Sequence, residues 1–143
     1  MKIKKVHILL CFATSIVLSC KSVKITKTEV TTLAKTSESW NGDALPKYLE
    51  GIPEVTILKI IIPPKTKLDL HKHPAINAGV ILKGTLTVIS DKNETRIFKT
   101  GDAIVELVNT WHFGRNDGTV PVEIIVFYAG IKGKPITILK KDN

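Results

Sequence analysis

Three histidines stand where their spacing could do chemistry. His71 and His73 flank a single lysine, and His112 follows Trp111 further along the chain. Alternate side chains of a β-strand point to one face, so an H-x-H pair on a strand sets both imidazoles on the same side, about 6–7 Å apart. Two such rings can reach one ion. A third from elsewhere completes a facial nitrogen site with open positions for water, substrate or dioxygen. An isolated H-x-H also occurs by chance on a wet strand face, so the pair takes its meaning from His112. Glu106 would act as a general base only if it faced inward, and an exposed charge is the ordinary expectation for a lone glutamate. Trp111 suits either substrate stacking beside His112 or packing on the outside of a sheet. The sequence has no Gly-x-Ser-x-Gly elbow and no phosphate-cradling glycine loop, which sets aside serine hydrolase and nucleotide-binding chemistry.

The elements that must position these residues read as strands. From Val55 onward short β-branched runs alternate with turn residues, and no long amphipathic helical pattern intervenes. Strands are expected at residues 55–62, 67–71, 76–82, 85–90, 95–99, 103–107, 122–129 and 136–140. Turn chemistry separates them at Pro63-Pro64, Lys83-Gly84, Asp91-Lys92-Asn93, Thr100-Gly101-Asp102, Asn116-Asp117-Gly118 and the stretch from Gly130 to Gly133. Many short strands at regular spacing predict an all-β fold, a small antiparallel β-barrel or sandwich. Residues 37–53, with Trp40 and Tyr48, are less regular and suit a loop packed over the barrel, a dimer arm or a lid.

The spacing of these residues resembles the cupin superfamily, whose first motif is Gly-x5-His-x-His-x3or4-Glu-x6-Gly and whose second is Gly-x5-Pro-x-Gly-x2-His-x3-Asn. His71, His73 and Gly84 match the first motif, with Lys65 in place of its first glycine and Asn77 in place of its glutamate. Gly101, His112 and Asn116 match the second, with Leu107 and Asn109 replacing its proline and inner glycine. The resemblance implies a jelly-roll barrel holding a divalent transition metal (Fe, Mn, Ni or Zn) on His71, His73 and His112, with Asn77 at the fourth position. An amide brings no charge, so three neutral histidines would leave the ion's double charge uncompensated and favour a small anionic guest. Gly79, two residues beyond Asn77 and on its face, would leave room above the ion, and Trp111 is the other pocket candidate. Asn116 would fix backbone geometry in the turn after the ligand strand. The family includes three-histidine dioxygenases and sugar isomerases, and dimers through an edge strand or an N-terminal arm. The implied function is therefore a metal-dependent enzyme of oxygenase or isomerase type, with a non-catalytic small-molecule binding module as the alternative.

The chain has 143 residues, 43% of them hydrophobic and 24% charged, an ordinary composition for one globular domain. Its formal charge of +8 would invite a nucleic-acid reading. However, Met1-Lys2-Ile3-Lys4-Lys5 precedes an apolar run from Val6 to Leu18 that falls short of the ~20 residues of a membrane span. This is the shape of an export signal, and Val17-Leu18-Ser19-Cys20 resembles a bacterial lipobox. Residues 1–19 are thus expected to be a signal peptide. Residues 20–36 become a lipidated N-terminus and tether grading into a strand near 30–34, and residues 37–143 form the barrel with its arm. The expected location is the periplasm, with Cys20 lipidated and anchoring the chain to the outer membrane. Without Lys2, Lys4 and Lys5 the charge falls to +5, and Arg96 and Arg115 are the only arginines, so nucleic acid is not an expected partner.

Overall fold

The computed structural model describes residues 25–141; the signal-like segment and Cys20 lie outside them. Residues 25–37 carry no strand, so the one expected at 30–34 does not form; Val30 and Leu33 are 89% and 57% exposed. The remainder is all β and contains no helix. Its strands are β1 (Pro53–Ile62), β2 (Thr66–Lys67), β3 (His71–Lys72), β4 (Asn77–Lys83), β5 (Thr85–Ser90), β6 (Thr95–Lys99), β7 (Ala103–Val105), β8 (His112–Asn116), β9 (Val122–Ile131) and β10 (Ile138–Leu139).

They form two antiparallel sheets. One has the order β1-β9-β4-β7; the other has the order β10-β3-β8-β5-β6, with β2 also paired to β8. β5 and β6 fall where turn residues bracket β-branched runs, and they pair in register from Thr85↔Lys99 to Ile89↔Thr95. Between the sheets lies a core that includes Ile62, Ile81, Val88, Ile104 and Val122, each no more than 2% exposed.

Several elements differ from their sequence expectation. The strand expected at 67–71 splits into β2 and β3, because Leu68 leaves the ladder while its amide still bonds the Gly114 carbonyl. The sequence pattern does not predict β8: its Gly114 and Arg115 weaken the local β signal, and pairing with β5, β2 and β3 supplies what propensity does not. β7 and β10 are shorter than expected. The stretch before β1 packs on the barrel. The Trp40 amide bonds the Val105 carbonyl at 2.9 Å, the Ser39 hydroxyl bonds the Glu106 carbonyl at 2.9 Å, and Arg96 grips the Trp40 carbonyl. It is a brace on the end of β7.

The motif's glycine positions have left-handed backbone, two of them without glycine. Lys65 (φ 59°) and Asn109 (φ 55°) are left-handed, and these are the places where the motif has glycine. Both geometries are kept without the residue that adopts them most easily. Gly84 does retain its glycine, at φ 81°, where a Cβ would lie 2.7 Å from the Pro121 carbonyl oxygen.

Candidate metal centre

β3 and β8 are paired so that His71 stands opposite His112, and a parallel bridge ties His73 to Val108 just before β8. The three imidazoles therefore meet inside the barrel, with ring centroids 4.7 to 5.1 Å apart. One ring nitrogen from each lies within 4.8 Å of the others.

Backbone carbonyls decide which nitrogens these are. The Nδ1 of His71 faces the Asp69 carbonyl at 2.7 Å, that of His73 faces Ile136 at 2.9 Å, and that of His112 faces Thr110 at 2.8 Å. A carbonyl oxygen only accepts, so each Nδ1 carries the hydrogen and each neutral ring keeps its lone pair on Nε2. Burial lowers all three histidine pKa values, with His73 brought to about 4, which keeps the rings neutral near pH 7. Three lone pairs turned toward one another would be a poor arrangement without a cation between them. The His112 Nε2 is buried with no hydrogen-bond partner. The donor set and its orphaned nitrogen fit a divalent transition metal.

Glu106 overturns the expectation of an exposed charge. It is 8% exposed, and its Oε2 lies 3.5 Å from the His112 Nε2, itself buried without a hydrogen bond. With His112 neutral the contact is not an ion pair; both atoms face the same point. Burial raises the carboxyl pKa to about 7. Alternation from the core residue Ile104 puts Glu106 inside, a signal the sequence carried.

The other anticipated residues divide. Asn77 is buried at 1% exposure, its amide nitrogen bonds the Ala75 carbonyl and its Oδ1 has no partner, but it is not part of the cavity wall. Gly79 does not open space above an ion. It lies under β9, where a Cβ would meet the Ile125 carbonyl at 2.7 Å. Gly114, two residues after His112, does line the cavity, and a Cβ there would press on Leu86 and Leu68 at 3.2 and 3.3 Å. Trp111 faces away from His112, as alternation requires, with the Lys72 and Lys140 ammonium groups 4.9 and 5.9 Å from its ring. Asn116 donates its amide to the carbonyls of Ile62, Pro63 and Val120 and accepts from the Gly118 amide, locking the end of β8 to the end of β1.

A cavity of about 300 Å³ opens from the histidines, with Tyr128 and Thr137 in its wall. Tyr128 stacks edge-on to His73 at 5.4 Å, and its pKa, pushed up to about 12 chiefly by burial, keeps it a phenol. Residues 58–128 match the cupin domain family. These residues form a cupin domain. Curated relatives of the cupin domain include phomopsin biosynthesis cluster protein C' of Diaporthe leptostromiformis, 32% identical over 62% of this chain and 46% of that protein. Another is the cupin-domain-containing oxidoreductase virC of Hypocrea virens, 27% identical over 73% of this chain and 57% of that protein. The chain spans about half the length of the curated relatives it matches. A double-stranded beta-helix domain protein from Klebsiella pneumoniae superposes with a TM-score of 0.54 at 14% identity, covering 81% of this chain and all of that one.

Proposed function

We propose that the cupin domain holds one divalent transition metal on the Nε2 atoms of His71, His73 and His112, with Glu106 as the adjacent carboxylate, and that it is a metal-dependent enzyme acting on a small molecule. The observation that carries this reading is the set of three Nδ1–carbonyl bonds, which leaves three lone pairs converging within 4.8 Å. When bound, the metal supplies Lewis acidity toward a substrate oxygen, or dioxygen binding if it is Fe(II). Glu106, buried beside the His112 Nε2, places a carboxyl group for proton transfer at the same point. A neutral fourth residue would have favoured a purely binding role; a buried carboxylate favours turnover, of oxygenase or isomerase type. The likeness to a protein named as an oxidoreductase supports the oxygenase branch.

The test is metal content of protein purified anaerobically without a histidine tag, beside a His112→Ala control. Close to one equivalent in the parent and its loss in the variant is the expected result; no metal at micromolar supply in the parent would refute the reading. Residues 1–20 support export and anchoring through Cys20 to the periplasmic face of the outer membrane, which palmitate labelling of the parent and a Cys20→Ser variant would check. Val55, Ile57 and Phe127, exposed together on the outer faces of the paired strands β1 and β9, support a homodimer, to be read by light scattering.

A further inference from the structure

The cavity wall divides sharply by chemistry. Away from the histidines it is hydrocarbon, contributed by Ile60, Leu68, Leu86, Val88, Ile124 and Val126 from both sheets. Glu106, Tyr128 and Thr137 gather at the histidine end: Glu106 stands beside His112, the Tyr128 ring beside His73, and the Thr137 hydroxyl 3.2 Å from the His73 Nδ1. Asp69, exposed, adds a negative charge to the wall. Among the described residues neither lysine nor arginine lines the cavity.

From this division we infer that the substrate is a molecule with a compact apolar body and a single oxygen-bearing end, and that sugar phosphates and polyanions are excluded. This rests on the metal reading above and specifies what that site takes. A phosphate drawn into this wall would lose its water and meet no cation other than the metal, and it would also meet Asp69 and Glu106. The Glu106 carboxylate, when ionised, offsets half the ion's charge, so the anionic guest that three neutral ligands would favour is narrowed to one carrying a single negative charge at its oxygen end. The size follows from volume. An apolar cavity of ~150 Å³ accommodates benzene, so about 300 Å³ suits roughly a dozen non-hydrogen atoms. The oxygen end belongs at the metal, beside Glu106, and the apolar body lies along Val88 and Val126.

The experiment compares octanohydroxamate with acetohydroxamate on zinc-loaded protein by calorimetry. Both present the same metal-seeking head; the longer one adds six methylenes. Each buried methylene is worth about fourfold, so even partial burial should make the longer probe at least ~50-fold tighter, and ribose 5-phosphate should not bind at millimolar concentration. Equal hydroxamate affinities, or tighter binding of ribose 5-phosphate, would overturn the inference. In a second arm, metal-free protein is titrated with butylbenzene, read by methyl shifts of Val88 and Val126. Uptake there without any zinc binding would refute the metal reading alone and uphold the apolar substrate. Zinc binding with no butylbenzene uptake would overturn the apolar substrate and leave the metal centre standing.

Discussion

Replacing Glu106 by glutamine should stabilise the metal-free protein at pH 8 and do much less at pH 5. The carboxyl has a folded-state pKa of about 7 against an ordinary value of 4.5. The folded state therefore holds this proton more tightly than the unfolded chain. Its contribution to stability is complete below pH 4.5, declines as pH rises, and is gone above pH 7, where an ionised carboxylate must sit in a dry site. At about 1.4 kcal/mol per pH unit between the two values, the ionised group costs the fold ~3 kcal/mol. Glutamine has the same shape, carries no charge at either pH, and can donate toward the free Nε2 of His112. The stability gap between variant and parent should thus widen by ~2.5 kcal/mol from pH 5 to pH 8, since part of the cost is already present at pH 5, or by roughly 10 °C in Tm for a domain of this size. The measurement is urea unfolding of chelator-treated protein at both pH values. Added metal should reverse the ranking, because only the parent's carboxylate then faces a cation. A gap that stays constant between pH 5 and pH 8 would refute the reasoning, since it would mean that Glu106 titrates as an ordinary solvated carboxyl.

Three further outcomes are expected. In the metal-free Glu106→Gln background, His73, with its pKa lowered from 6.5 to about 4, makes the fold acid-sensitive: its contribution is intact above pH 6.5 and falls by ~3 kcal/mol as pH drops through 4. Adding His73→Gln should flatten that limb in a pH series of unfolding curves. Asn116→Ala removes a buried amide serving three carbonyls and one N–H, and should cost about 3–4 kcal/mol in urea unfolding; a loss under 1 kcal/mol would show that those carbonyls find other donors. Lys65→Gly relieves a left-handed backbone at φ 59° and should stabilise by roughly 0.5–1 kcal/mol, whereas a drop in Tm would show that the side chain's bond to the Asp117 carbonyl outweighs the strain.

Much of the barrel was legible because its turns are chemical punctuation. β5 and β6 run from the turn at Gly84 to the turn at Gly101, and their ends are fixed by residue type alone. β8 was hidden because its stability is tertiary: it pairs with three strands distant in sequence, while its own residues include a glycine that lines the cavity. The histidine spacing indicated the cluster, yet not the tautomers. Two of the anchoring carbonyls, from Asp69 and Thr110, lie two residues before their histidines, but the third comes from Ile136, which no local pattern links to His73. Glu106 could have been read from alternation off Ile104, but general statistics for glutamate favour the surface. Gly79 and Gly114 show the same rule applied from the wrong anchor. Counting two from Asn77 reaches the packing of β9, and counting two from His112 reaches the cavity.

The main-chain anchoring of the three imidazoles has a consequence for how such a barrel can change over time. Carbonyl oxygens are present whatever side chain a residue carries, so the residues at 69, 110 and 136 can be exchanged without altering which ring nitrogen is free. The hydrocarbon wall comes from other strand positions that the anchors do not depend on. Ligand geometry and guest selection are therefore inherited separately. A lineage, or an engineer, can rebuild the wall one residue at a time for a new molecule while the three nitrogens keep their aim.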